Sequence, residues 1–409
     1  MSTAGTKRRL RRTAAIGLAG ALAGGSILAA TAFASADEPD QLNAADVIAG
    51  AGSADAIDGE YIVVMDESAE SLGGIAKDLG VDVAVEETLD SVNGYVTEMT
   101  EAEAVELAAD ESVAYIEQNR TVSIADVQTD PPSWGQDRVD QQELPLDASY
   151  TYDVGGTGVN AYVLDTGVNT THEDFTGRIG EGYDFVDDDA DASDCHGHGT
   201  HVAGTIGGTT YGLAKDVTVV PVRVLDCEGS GSYAGIIGGI DWVTENAAGG
   251  PAVANMSLGG TFSQALNDAI AGATSVGVTF AIAAGNEGQD ACDVSPGSEP
   301  TAITVAASDE NDAQTSWSNW GECVDIIAPG DGITSAWIDG DDASDTISGT
   351  SMAAPHVAGV AALYLETNPE ATPEEVSAAL TEGAVADAIE VTEGTPNLLL
   401  NTEFLAAAE

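Results

Sequence analysis

The string GTSMAAPH (349–356) places Ser351 among small residues just where good helix formers begin. A serine there falls in the first turn of a buried helix, with its own N–H aimed at whatever its hydroxyl attacks. A serine hydroxyl is a weak nucleophile, so it needs a base, and the base needs a carboxylate to orient it. Both residue types occur upstream. Asp165 ends the apolar run 159–164 and precedes Thr166-Gly167, where a buried parallel strand gives way to a loop. Open α/β sheets gather their ligands at such strand ends. The string HGHGTHVAG (196–204) sets histidines at the start of a second helix. His196, His198 and His201 are crowded enough to raise the question of zinc, but their spacing is not that of HExxH and no fourth ligand accompanies them.

Five strings, VLDTGV, HGHGTHVAGT, NMSLGG, AAGNEG and GTSMAAPHVAG, follow one another in this order. Together they make the chain from about Trp134 onward resemble the subtilisin-type serine proteases of the proteinase K and aqualysin branch, whose triad runs Asp, His, Ser along the chain. The resemblance implies an acyl-transfer site. Asp165 is its orienting carboxylate, His198 its base and Ser351 its nucleophile, while Asn286 and the Ser351 backbone N–H are its oxyanion donors. His201, His172 and His356 become structural residues, and His196 a loop variant. An extended substrate would pair with Gly229, Ser230 and Gly231 on one edge and with Ser257, Leu258 and Gly259 on the other. Tyr233 would line a pocket a few residues before the cut, and Ala283, Ala284 and Gly285 would wall the main pocket. No charge is visible in those walls, so the expectation is broad specificity favouring apolar or aromatic residues before the cut.

The same resemblance implies structural calcium. One candidate site uses Asp137, Asp140, Gln141, Asp147 and Ser149, whose oxygens suit a hard cation. The other uses the carbonyls of Pro300 and Ala302 with the carboxylate of Asp325. Four cysteines (Cys195, Cys227, Cys292, Cys323) form an even set in a chain read as exported, which favours disulfides. The sequence leaves three pairings open. The resemblance implies Cys195 with Cys227 and Cys292 with Cys323.

To hold these residues the chain must build an α/β fold, and the resemblance makes it the subtilisin-like three-layer one, a mostly parallel sheet flanked by helices. The sequence agrees: apolar runs without alternation, as in 217–225, 252–258, 278–285 and 302–308, alternate with helical stretches at 233–246, 262–275 and after Ser351. Four segments are expected. Residues 1–36 carry Lys7, Arg8, Arg9, Arg11 and Arg12, an apolar run and Ala34-Ser35-Ala36, reading as an export signal of the general or twin-arginine type. Residues 37–58 read as an acidic linker. Residues 59–127 read as a small α+β unit resembling an inhibitory propeptide, whose tail (122–129) would lie in the cleft and be cut to leave a chain starting near Gln128. Residues 128–409 form the peptidase domain.

The 409 residues carry a net charge of −58, which excludes nucleic acid and anionic membranes as partners. Residues 128–409 contain only Arg138, Arg178, Lys215 and Arg223 as bases. Self-repulsion on that scale strains a fold at low ionic strength and is relieved by salt, so adaptation to high salt is expected. The full expectation is a secreted, extracellular, monomeric serine endopeptidase acting on protein or peptide substrates. It would be made as a zymogen with its own propeptide as intramolecular inhibitor, and would have no stable membrane association. A non-catalytic relative is the rival reading, and a narrow processing protease the second.

Overall fold

The computed structural model describes residues 47–49, 51, 56–66, 72–81, 83–89, 91–120, 126–247 and 249–406. The expected export signal, residues 37–46 of the expected linker and residues 122–125 of the expected propeptide tail lie outside them.

The first part is β1 (Ile48–Ala49), β2 (Ala56–Met65), α1 (Leu72–Leu79), β3 (Ala84–Leu89), β4 (Gly94–Glu98), α2 (Glu101–Ala108) and β5 (Val113–Arg120). The strands form one sheet in the order β1-β5-β2-β4-β3, antiparallel except where β1 joins β5. Period-two alternation in β2 turns Tyr61, Val63 and Met65 to a core with Leu72, Leu107 and Ile116. Thr100 and Glu103 close a reciprocal capping box at the start of α2. Within the expected linker, Ile48 pairs with Ile116 and is buried in this core, a strand of two residues too short to show a period. The unit's second strand also begins at Ala56, ahead of the expected boundary at Gly59.

The larger part continues with β6 (Asp126–Thr129), α3 (Trp134–Val139), β7 (Ser149–Tyr152), β8 (Asn160–Asp165), β9 (Tyr183–Asp184), α4 (His198–Gly207), β10 (Thr218–Arg223), α5 (Tyr233–Asn246), β11 (Ala252–Met256) and β12 (Gly260–Thr261). It then runs through α6 (Gln264–Thr274), β13 (Val278–Ala283), β14 (Val294–Ser295), β15 (Ile303–Ser308), β16 (Ile326–Pro329), β17 (Ile333–Ala336), β18 (Ser344–Ile347), α7 (Thr350–Thr367), α8 (Pro373–Glu382), β19 (Val385–Ala386), β20 (Leu398–Leu399) and α9 (Glu403–Ala406). Nine strands form a sheet in the order β19-β20-β16-β15-β13-β11-β8-β10-β9, parallel except for β19 with β20. Every residue of β11, β13, β15 and β16 is buried, which is why those strands are apolar runs rather than alternating ones. Val202 and Ile206 of α4 pack in one core with Val357, Val360 and Ala361 of α7. Ile236, Ile240 and Val243 of α5 pack in the other with Leu266 and Ile270 of α6. The two cores lie on opposite faces of the large sheet, with Ala161 and Val163 of β8 in one and Tyr162 and Leu164 in the other, and the helices form the outer layers of the three-layer architecture. Cys195–Cys227 and Cys292–Cys323 are joined, with Cα atoms 5.1 and 5.3 Å apart.

β6 overturns one expectation. Its residues belong to the tail expected in the cleft, yet they pair with β7, Gln128 opposite Tyr150. The domain boundary between Val127 and Gln128 therefore falls inside a strand. Gln128 is held there by a basic side chain, and each of the four bases in 128–409 is similarly committed. Lys215 Nζ donates to Gln128 Oε1 at 2.7 Å, to Gly212 O at 2.9 Å and to Thr209 O at 3.1 Å. Arg138 is fully buried, bidentate to Asp312 at 2.7 and 3.1 Å. Arg178 donates to the carbonyls of Asp174 and Gly207, and Arg223 pairs with Asp184 and Asp187.

Candidate active site

Asp165 is the last residue of β8, an interior strand third from the β9 edge of the large sheet, and stands at the carboxyl ends of the parallel strands. Its backbone carbonyl accepts from the N–H groups of Val224 and Leu225, which fastens the end of β8 to the loop after β10. Its side chain is fully buried, and Oδ1 lies 2.7 Å from Nδ1 of His198 and accepts from the Thr166 N–H at 2.8 Å. His198 opens α4. Gly197 precedes it at φ 110°, where a Cβ would fall 2.5 Å from the Trp337 ring, so only glycine fits. Asp194 satisfies the N–H groups at this helix end: Oδ1 accepts from His196 N, Gly197 N and Thr166 Oγ1, and Oδ2 from Thr200 N and Oγ1. Burial pushes the His198 imidazole toward neutrality. The charge and hydrogen bond of Asp165, with the charge of Asp194 added, outweigh it and hold the pKa above 6.5.

Ser351 lies in the first turn of α7, and its Oγ donates to Ser257 O at 3.2 Å. Its own carbonyl accepts from Ser257 Oγ at 2.7 Å, and that hydroxyl accepts from Asn255 Nδ2 at 2.9 Å. Asn286 is oriented from its oxygen end. Oδ1 accepts from Thr350 N at 2.8 Å and Thr350 Oγ1 at 2.9 Å, which leaves the amide N–H donors for a developing negative charge.

These two pairs border one cleft. Ser351, Asn286, Ala283, Ala284, Gly285, Leu258 and Gly259 line a cavity of about 490 Å³. His198, Gly229, Ser230, Gly231, Tyr233, Ser257, Leu258 and Gly259 line another of about 780 Å³. Leu258, Gly259 and Gly260 belong to both. The walls named from the sequence carry no charge, but Glu287 and Asp293 also line the smaller cavity. The pairing of β12 with β14 folds that segment back to Gly260, a long-range contact that no local pattern announces.

Three of the four remaining histidines are structural in their contacts, His201 Nε2 meeting Ile333 O, His172 Nε2 meeting Ala343 O and His356 Nδ1 meeting Met352 O, whereas His196 lines the larger cavity beside His198. The first cation candidate is a turn. Asp137 accepts from Asp147 N and Ala148 N, Gln141 Oε1 also accepts from Asp147 N, and Ser149 donates to Asp147. Asp140 accepts from Thr151 N through Oδ2, while its Oδ1 is buried without a partner and burial lifts its carboxyl to about 6. Pro300, Ala302 and Asp325 line a groove of about 1140 Å³, and burial lifts the Asp325 carboxyl to about 6. Among the described residues no group of three or more His, Cys, Asp or Glu side chains is gathered for a metal. Carbonyl and amide oxygens would have to complete either site.

Sequence reasoning missed Asp194, Asn255, Thr350 and the hydroxyl role of Ser257. Asp194 had a readable signal, since a helix start at His198 requires a cap and an aspartate stands just before it.

A sequence profile described as Subtilase family matches residues 156–402. Over 293 residues the chain is 55% identical to the alkaline serine exoprotease A of Vibrio alginolyticus, an alignment covering 70% of this chain and 54% of that protein. The chain thus spans about half the length of that relative. Over 293 residues it is also 55% identical to the extracellular serine proteinase of Thermus sp. (strain Rt41A), covering 71% of each. Among solved structures, a cold-adapted subtilisin-like serine proteinase superposes with a TM-score of 0.64 at 56% identity, covering 66% of this chain and 97% of that one.

Proposed function

The chain belongs to the subtilase family, and on that premise we propose that it is a serine endopeptidase working by acyl transfer. His198 takes the Ser351 proton as the hydroxyl attacks a peptide carbonyl, and Asp165 fixes the tautomer and stabilises the imidazolium. The Asn286 amide and the Ser351 N–H hold the oxyanion until water releases the acyl group. The observation carrying this reading is the 2.7 Å Asp165–His198 contact at a strand end, facing a cleft that the Ser351 turn closes from the other side.

Substrate lies extended between Gly229–Gly231 and Ser257–Gly259, read mainly through its backbone. Ala283, Ala284 and Leu258 give the pocket apolar walls, which favours broad specificity with apolar or aromatic residues before the cut. The product is exported, and residues 59–125 serve as its inhibitory propeptide. The tail 122–129 is cut to leave a chain starting near Gln128, and the pairing of β6 with β7 supports a cut on the N-terminal side of that strand. Calcium steadies the fold: the orphaned, buried Asp140 Oδ1 beside Asp137 and Asp147 fits a cation, as does the buried Asp325 carboxylate. An acidic surface with its bases turned inward suits high salt.

The test is the intact mass of the wild-type chain and of Ser351→Ala, both expressed without residues 1–36 in calcium and high salt. Loss of the N-terminal part by wild type alone supports a self-processed protease. Two full-length products under several salt conditions would favour a non-catalytic relative.

A further inference from the structure

We propose that the cavity beside Ser351 accepts lysine and arginine as well as apolar side chains, and that Asp293 is the carboxylate meeting their charge. The inference rests on the endopeptidase reading and names a substrate class for its site.

The two charged side chains lining that cavity, Glu287 and Asp293, are both negative. They are not equivalent. Glu287 is engaged in the structure, its Oε2 accepting from Asn286 N at 3.0 Å and Asn319 Nδ2 at 3.2 Å. Asp293 is exposed and makes no side-chain hydrogen bond or ion pair with the described residues. Its backbone is nonetheless fixed. It closes the short helical turn Ala291–Asp293, which Asp290 caps, it follows the disulfide-bonded Cys292, and it precedes β14, which pairs with β12 at the cleft edge. A long basic side chain can lay its methylenes along Leu258, Ala283 and Ala284 and carry its charge to this carboxylate.

A second observation is independent of the cavity. In residues 128–409 the four bases are turned inward and engaged, three of them buried and Arg178 half-buried, whereas Phe262 and Val276 stand exposed at 54% and 65%. An enzyme that takes basic residues at the cut meets no exposed site of that class on its own larger part, while Lys77 stands exposed in the N-terminal part. An apolar preference alone gives no such protection.

The test is kcat/KM for the mature wild-type enzyme and its Asp293→Asn and Asp293→Lys variants. The substrates are peptide anilides differing only in the residue before the cut: Phe, Leu, Arg, Lys or Glu. Salt is kept at the lowest level that preserves Phe cleavage. Wild type should cleave Arg and Lys well and Glu poorly. Asp293→Asn should lower Arg and Lys by about threefold to fivefold relative to Phe and Leu, the scale of an exposed ion pair. Asp293→Lys should lower them further and raise Glu. Cleavage of Phe without Arg or Lys, or an Asn variant that slows Phe and Arg alike, overturns this inference alone. Failure to cleave any peptide overturns the endopeptidase reading and this inference with it.

Discussion

Replacing Lys215 by methionine should abolish a rise in stability that the wild-type chain gains at alkaline pH. Lys215 is buried between Tyr150 and Tyr152, with Nζ 5.4 and 5.5 Å from their ring centroids. Burial drives its pKa from 10.5 down to about 8; the charge of Arg178 pushes the same way, against the opposing pull of Asp174 and Asp216. The charged form is thus disfavoured in the folded chain. Between pH 8 and 10.5 the unfolded chain binds more protons than the folded one, so stability increases with pH across that window. A depression of this size is worth about 3 kcal/mol at 1.36 kcal/mol per pKa unit. In a domain of this size that corresponds to about 6 °C in Tm. Methionine preserves the packing of the stem on the two rings but has no charge to lose. Its stability at pH 7 mixes relief of that penalty with three hydrogen bonds lost at Gln128, Thr209 and Gly212, so the slope with pH, not the absolute value, isolates the effect. The assay is calorimetric Tm from pH 7.5 to 10 for both proteins in a Ser351→Ala background, which prevents self-digestion. Burial pushes Tyr150, Tyr152 and Tyr162 upward as well, and their contribution above pH 10 is common to both proteins. If wild type and Lys215→Met gain the same Tm between pH 8 and 10, the lysine is not held near 8 and the reasoning fails.

Three further outcomes follow from the site and the charge. Thr350→Val should lower kcat about tenfold with little change in KM, because it frees Asn286 Oδ1 from one of its two donors, while Asn286→Ala should lose about 10² to 10³ in kcat, a magnitude taken from the corresponding donor in subtilisin itself; peptide kinetics check both. For the wild-type enzyme kcat/KM should fall as pH drops through a value above 6.5, since His198 must be neutral to act as base. Asp165→Asn should move that limb to lower pH and cost about 10⁴ in kcat, and a pH profile of each protein tests it. Raising NaCl from 0.1 to 1 M shortens the screening length from about 10 to about 3 Å, so the Tm should rise; a flat or falling Tm would count against the salt adaptation.

Much of the large sheet was legible because buried parallel strands leave continuous apolar runs. The runs before Asp165 and around Val219, Ala254 and Phe280 each became a strand, and the stretch from Tyr233 to Asn246 became a helix with the expected limits. Asp165 stood out at the end of an apolar run before a glycine-rich loop, whereas the choice of His198 among three crowded histidines came from the family resemblance. Less local features were not legible. The Thr350 hydroxyl on Asn286 and the Ser257 hydroxyl on Ser351 are contacts between residues 64 and 94 positions apart, and no periodicity encodes them. The placement of β6 escaped for the same reason, since its anchor Lys215 lies 87 residues downstream. Asp293 shows the opposite failure: its charge was plain in the sequence, but only the pairing of β14 with β12 reveals where it faces.

The position of α7 has a consequence in time rather than in space. Of its eighteen residues fourteen are buried, and it packs against α4, β11, β13, β15 and β16. A nascent chain that has emerged only as far as Gly349 lacks the central helix of its main core and, in the same eighteen residues, the proposed nucleophile Ser351. The sheet is dominated by parallel pairings between distant segments, which form slowly and need both partners present. The hydroxyl proposed to attack substrate is therefore delivered together with the central helix of the core, so a chain that stops at Gly349 lacks both.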